Sequence, residues 1–203
     1  MPDVEINAER LLRSLEELAE VGAYVDERTG LRGVNRLALT DADAAGRRLV
    51  KRWFEEAGLE VRVDAIGNTY GHRRGRDDSA PPVVCGSHID SVPTGGAFDG
   101  VLGVLGALEV VRTLNDRKIE TERPIEIAFF TEEEGCRFGT DMLGSAVACG
   151  RIALEDAYVI KDREGRSVGA ELERIGFKGT ADVRVKPPRA YVECHIEQGP
   201  MLG

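Results

Sequence analysis

The sequence predicts an α/β fold, a layered sheet with helices on both faces, and three observations carry that prediction. Short apolar runs at residues 82–86, 125–130 and 190–195 read as buried strands. Segments with apolar residues at helical spacing lie between them, so strand and helix alternate along the chain. Each of the three runs ends in a cluster of His, Asp or Glu side chains, and ligands of open α/β sheets bind outside the carboxyl ends of the strands.

The elements follow in order. Leu11, Leu12, Leu15, Leu18 and Ala19 recur at helical spacing and predict an amphipathic helix over about residues 8–22. Thr40 is the expected N-cap of a second helix whose apolar stripe is Leu49, Val50, Trp53 and Phe54, stopped at Gly58. Leu59, Val61, Val63 and Ala65 alternate with charged residues, as a half-buried strand does. Gly67-Asn68 signals a turn, after which residues 69–72 pair back as a hairpin, and residues 73–78 read as a solvated loop tip. Val101, Val104, Leu105, Leu108 and Val111 mark a helix whose Gly103 and Gly106 permit close packing on the sheet. Residues 142–148 and 167–175 read as further helices, the second capped by Ser167.

Composition narrows the function. The 203 residues carry 27 Lys and Arg against 36 Asp and Glu, a net charge of −9, and no basic stripe interleaved with aromatics, which argues against a nucleic-acid partner. No apolar run approaches the ~20 residues that cross a bilayer, so no membrane partner is expected. The acidic start, Met1-Pro2-Asp3-Val4-Glu5, lacks the apolar stretch of a signal peptide, and a cytoplasmic protein is expected. The four cysteines form no Cys-x-x-Cys pair, against a zinc ribbon or a redox dithiol. Cys85, Cys136 and Cys194 stand beside the strand-end motifs and are expected to be small buried thiols. Residues 198–203 leave the last strand without a closing helix, so the chain is expected to be truncated, residues 1–203 forming the N-terminal part of a catalytic domain.

The strand-end clusters read as a hydrolytic metal site. His88 and Asp90 are two apart, so an extended backbone puts them on one face, where Asp90 can accept from the imidazole N–H as carboxylates behind metal-bound histidines do. Asp99, among glycines at the mouth of a helix, has two readings: an N-cap, or a carboxylate bridging two ions ~3.5–4 Å apart. Glu132, Glu133 and Glu134 follow a buried strand directly, where uncompensated charge is costly and divalent ions would supply the opposite sign. Adjacent Glu133 and Glu134 point differently, one to a metal and the other to a water as general base, while Glu132 is read as structural. His195 is a third candidate donor, and Gln198 offers the donor and acceptor that suit an amide or ureido group. His72, in a polar hairpin, is read as an exposed bystander.

Three segments, GSHIDSVPTGGAFDG at 86–100, TEEEGCRFGTDMLGS at 131–145 and ECHIEQGPML at 193–202, resemble the motifs of the amidase/hydantoinase/carbamoylase branch of the M20 metallopeptidase clan. That branch includes N-carbamoyl-L-amino acid hydrolases, allantoate amidohydrolases and β-ureidopropionases. The resemblance implies a zinc-exopeptidase-like catalytic domain and two divalent ions, Zn²⁺, Mn²⁺, Co²⁺ or Ni²⁺. It implies that His88, Asp99 and His195 hold one ion and Asp99 and Glu134 the other. It also implies Glu133 as catalytic acid/base, Asp90 as the residue orienting His88, and Gln198 as a substrate contact. A cis peptide after Asp99 is part of the implied geometry. The implied substrate is a small carbamoyl or ureido compound, with an aminoacylase or dipeptidase as the nearest rival and an inactive metal-binding fragment as the second. Family members are longer: a lid and dimerisation domain, and a returning catalytic segment with a last histidine, lie beyond these residues. The whole form is expected to be a homodimer. The second ion is thus left with Asp99 and Glu134, short of the three protein ligands of a typical catalytic zinc site.

Overall fold

The computed structural model describes residues 4–183, 185 and 187–197. The chain opens with helix α1 (Ala8–Ala19), whose N-cap Asn7 accepts from the Arg10 backbone N–H. A small antiparallel ribbon, β1 (Ala23–Val25) and β2 (Arg32–Val34), follows. These three-residue strands have no apolar alternation to announce them. Helix α2 (Asp41–Glu56) starts at the predicted cap, Thr40, whose side chain accepts from Asp43 N. Strands β3 (Glu60–Val63) and β4 (Thr69–Arg73) form the expected hairpin.

Strand β5 (Val83–His88), helix α3 (Val101–Asp116) and strand β6 (Ile125–Phe130) make one parallel crossover unit. β5 runs two residues past its predicted end, which makes His88 its last residue. Helices α4 (Leu143–Ala148), α5 (Leu154–Val159) and α6 (Val168–Ile175) follow, and Ser167 caps α6 by accepting from Ala170 N. Strand β7 (Ala190–Val192) is shorter than predicted, so His195 lies in the loop beyond it.

The main sheet has the order β3-β4-β6-β5-β7. β5 lies between β6 and β7 and runs parallel to both, so the three strands release their carboxyl ends at one edge. One face is covered by α1, α2 and α3, where Leu15, Leu18, Val50, Phe54, Val104 and Leu108 pack with Ile127 and Phe129. On the other face Tyr70 meets Phe130 edge-on, and with Ser145 and Ala148 of α4 they line a cavity of about 320 Å³. A second core gathers around α4, α5 and α6 from Leu39, Ile66, Phe138, Leu143, Leu172 and Phe177. Gly103 of α3 does approach the sheet, since a Cβ there would lie 2.8 Å from Ser87 Cβ, but Gly106 faces open space, contrary to expectation. Among the described residues no helix is long and apolar enough to cross a membrane.

The β3–β4 turn is tied to the site edge by a buried acid. Asp64 Oδ1 accepts from Ile66 N at 3.1 Å and Asn68 N at 2.8 Å, while Oδ2 accepts from Asn68 Nδ2 at 2.9 Å. Asn68 in turn accepts from Thr131 N, the first residue after β6. Burial pushes the Asp64 carboxyl up to about 6, above its unfolded value of 3.8. The folded state therefore holds the proton more tightly; the stabilisation is complete below pH 3.8 and is lost as pH rises through 6. Urea unfolding from pH 4 to pH 7 is expected to show the parent losing about 2 kcal/mol relative to Asp64→Asn. Parallel stability profiles for the two proteins would refute this.

Candidate metal centre

Three loops meet where β5, β6 and β7 end. His88, 1% exposed, sits with its Nδ1 2.9 Å from the main-chain carbonyl of Asp90. A carbonyl only accepts, so Nδ1 carries the proton and Nε2 presents a lone pair. His195 is set the same way, its Nδ1 2.7 Å from the carbonyl of Ile196. The two rings stack at 28° with the Nε2 atoms 3.3 Å apart. Two lone pairs cannot hydrogen-bond each other. Their approach is stable where a cation, or a shared proton, lies between them and the acids around them.

Those acids are close. His195 Nε2 is 3.6 Å from Asp99 Oδ1, and His88 Nε2 is 3.4 Å from Glu133 Oε2. The donor atoms of His88, Asp99 and His195 all lie within 4.8 Å of one another, as do those of His88, Glu133 and Glu134. Glu134 has one buried oxygen, Oε1, without a hydrogen-bond partner. Burial, then its hydrogen bond to Asp99 and the charges of Asp99, Glu133 and Asp90, push the Glu134 carboxyl up to about 8. A carboxyl so raised, with an orphaned oxygen on a residue whose donor atoms gather with those of His88 and Glu133, fits a site for divalent ions better than a resting acid cluster.

Local backbone makes the convergence possible. Gly100 turns the chain after Asp99 with φ +64°, and a Cβ there would fall 2.4 Å from His88 Nε2, so only glycine leaves room beside the imidazole. Gly100 is itself the N-cap of α3, without a side-chain capping bond, so the capping role considered for Asp99 is not observed. All peptide bonds among the described residues are trans, which corrects the expected cis peptide after Asp99; the positive φ of Gly100 makes the turn instead.

Glu132, also at positive φ (52°) and fully buried, accepts from Arg137 N at 3.2 Å and Phe138 N at 2.7 Å. It folds the 131–138 loop back on itself, the structural part read for it. The carbonyls of Thr131, Glu132 and Glu133 accept from Gly144, Leu143 and Met142 N, which fixes the glutamate loop to the start of α4.

Several expectations are corrected. Asp90 orients His88 through its carbonyl; its carboxylate Oδ1 stands 3.8 Å from Nδ1, while Oδ2 accepts from Glu134 N at 3.3 Å. The strand ends at His88, so the two side chains are not held in extended register, and the Asp90 carboxylate bridges to the glutamate loop instead. Cys136 and Cys194 are exposed and Cys85 half-buried, because the two former stand in loops rather than strands. His72 is half-buried rather than exposed, its Nε2 2.9 Å from Asp78 Oδ1 and its Nδ1 3.7 Å from Glu126, and it pairs near the start of β6, away from the donor cluster, so it is a bystander to the centre as read. Gln198 lies outside the described residues.

Two arginines are fully buried, a burial that their charge alone does not predict. Arg47 bonds Asp43 Oδ2 at 2.7 Å, the Gly67 carbonyl at 2.8 Å and Thr131 Oγ1 at 3.3 Å, lying 5.6 Å from the rings of both Phe129 and Phe177. An Asp-x-x-x-Arg pair on the apolar face of α2, in step with Val50 and Phe54, was the available signal. Arg36 supports the 88–91 segment.

Residues 84–203 match the family model for peptidase family M20/M25/M40. This chain belongs to that family. M20 hydrolases are metal-dependent, and the donors gathered at the strand ends of this M20 chain supply groups that could hold such ions. An N-carbamoyl-L-amino-acid amidohydrolase of Rhizobium meliloti is 52% identical over 97% of this chain and 46% of its own length. A ureidoglycolate hydrolase of Arabidopsis thaliana is 38% identical over 83% of this chain and 37% of its own. A hydantoinase/carbamoylase family amidase from Burkholderia ambifaria superposes with a TM-score of 0.91 at 51% identity, covering 98% of this M20 chain and 48% of that one. The chain spans about half the length of the curated relatives it matches.

Proposed function

We propose that these residues form the N-terminal part of the catalytic domain of a binuclear metal-dependent amidohydrolase. It cleaves the linear C–N bond of a carbamoyl group, with an N-carbamoyl-L-amino acid as substrate. The observation that carries this reading is the pair of imidazole Nε2 atoms 3.3 Å apart, each made a lone-pair donor by a main-chain carbonyl and each facing a carboxylate. Relatives named N-carbamoyl-L-amino-acid amidohydrolase, 40–52% identical, support the substrate class. The ureidoglycolate hydrolases among the relatives favour one second reading, a linear ureido acid.

In this assignment His88, Asp99 and His195 hold one ion, and Asp99 and Glu134 hold the other. Of the metals with affinity for mixed imidazole and carboxylate donors, Zn²⁺, Mn²⁺, Co²⁺ and Ni²⁺ suit the set. When bound, the ions supply positive charge that acidifies a water and stabilises an oxyanion. Glu133 takes the proton of the attacking water and returns it to the leaving nitrogen. Asp90 keeps the β5 and β6 loops in register through its bond to Glu134 N. Gln198 recognises the ureido amide. One water is consumed, and the carbamoyl amino acid yields the amino acid, ammonia and carbon dioxide. Cytoplasmic location and homodimerisation of the whole protein complete the proposal.

Metal counting by mass spectrometry, combined with an ammonia-release assay on carbamoyl amino acids, tests it in the whole protein. Two bound ions and ammonia release are expected, both lost on chelation and restored by added Mn²⁺ or Zn²⁺. Turnover that survives complete removal of metal would sink the proposal.

A further inference from the structure

We propose that Arg36 is a positioning residue of the metal centre, clamping the His88–Asp90 arm from its buried side. The inference rests on the hydrolase reading above. Arg36 is 1% exposed and touches none of the candidate ligands directly. Its Nε donates to the Ile89 carbonyl at 2.7 Å, the peptide between His88 and Asp90. Its backbone N–H donates to Ser91 Oγ at 2.9 Å, and its carbonyl accepts from Ser91 N at 3.0 Å. One residue thus grips the chain on both sides of Asp90, whose carbonyl sets the tautomer of His88.

The clamp is anchored behind. Nη1 donates to the carbonyls of Leu18 at 3.1 Å and Val21 at 2.8 Å, at the end of α1. Gly46 of α2 leaves the stem its space, since a Cβ there would lie 3.0 Å from Arg36 Cδ. Burying a guanidinium is costly unless charge and hydrogen bonds offset it. Here carbonyls accept its protons, and the charges of Asp43 and Asp90 act on it. An apolar side chain would fill the same volume at less cost but could not hold the Ile89 carbonyl. The position of that carbonyl is what the buried charge secures, and through it the aim of the His88 lone pair.

Residues that orient metal ligands from behind are worth about 10–100-fold in metal affinity. The test measures Mn²⁺ affinity of the whole protein by competition with a chromophoric chelator. Arg36→Met is expected to raise the Kd about 10–100-fold, and Arg36→Lys, which keeps a donor near Ile89, to recover part of the loss. Val50→Ala, a core truncation on α2, controls for destabilisation: it should lower Tm and leave the Kd unchanged. Should Arg36→Met fail to fold, Ser91→Ala removes one side of the clamp and is expected to weaken Mn²⁺ several-fold. A folded Arg36→Met or Ser91→Ala protein that binds Mn²⁺ as tightly as the parent overturns the inference and leaves the hydrolase reading standing. A parent protein that takes up no Mn²⁺ or Zn²⁺ overturns both.

Discussion

Replacement of Glu133 by glutamine is expected to lower ammonia release by about 10³-fold, within the range that general acid–base catalysis contributes, while ion content stays at the parent level. Glutamine keeps the size and polarity of the side chain but loses the basic oxygen that accepts a proton. Glu133 is partly exposed, with its side chain 28% accessible where Glu132 is buried, so a water can reach it. Its carbonyl is tied to Met142 N, which leaves the backbone of the variant where it was. The geometry also permits a rival role, because Glu133 shares a possible donor cluster with His88 and Glu134. The two roles separate cleanly. Loss of turnover with full metal content identifies the proton carrier, loss of an ion identifies a ligand, and full turnover in the variant removes Glu133 from the chemistry.

Gly86→Ala is expected to abolish the fold. Gly86 lies in β5, paired with Ala128 of β6, at φ +150°. A Cβ built there would fall 1.9 Å from the Ala128 carbonyl oxygen and 2.9 Å from its nitrogen. Both are backbone atoms of a neighbouring strand, so no rotamer change relieves the clash. β5 and β6 would have to part, two residues before His88. The cost belongs to the exceptional class above about 4 kcal/mol, enough to unfold many domains. Gly106→Ala is the matched control. Its Cβ meets open space in the middle of α3, and it is expected to stabilise by about 0.5–1 kcal/mol. Circular dichroism and urea unfolding of the pair decide the matter; a Gly86→Ala protein as stable as the parent would mean that β5 and β6 do not pair as described.

Much of this architecture was legible in the residues. Ile125–Phe130 is a strand with the bounds its apolar run sets, and Thr40 and Ser167 cap the helices they precede. Local chemistry dictates these features, and nothing distant competes with it. The clusters following the three runs also meet, because β5, β6 and β7 are parallel and discharge at one edge. Where the reading failed, a longer-range contact had decided. Asp90 was expected to serve His88 with its carboxylate, but the Glu134 N–H from the next strand's loop holds that carboxylate, and the carbonyl takes its place. Gly103 and Gly106 are indistinguishable by spacing, yet only Gly103 faces the Ser87 side of the sheet. The β1–β2 ribbon is not legible in the sequence because three-residue strands carry too short a pattern.

The order of strands and helices, the capping residues and the three donor-bearing loops follow from the sequence alone, since each depends on neighbours within a few positions. Tertiary structure alone decided which atoms face one another: the approach of the His88 and His195 Nε2 atoms, the orphaned oxygen of Glu134, and the burial of Arg36 and Arg47. Approaches between residues as far as 107 positions apart set those features, and no local pattern encodes a contact that exists only once the sheet has formed.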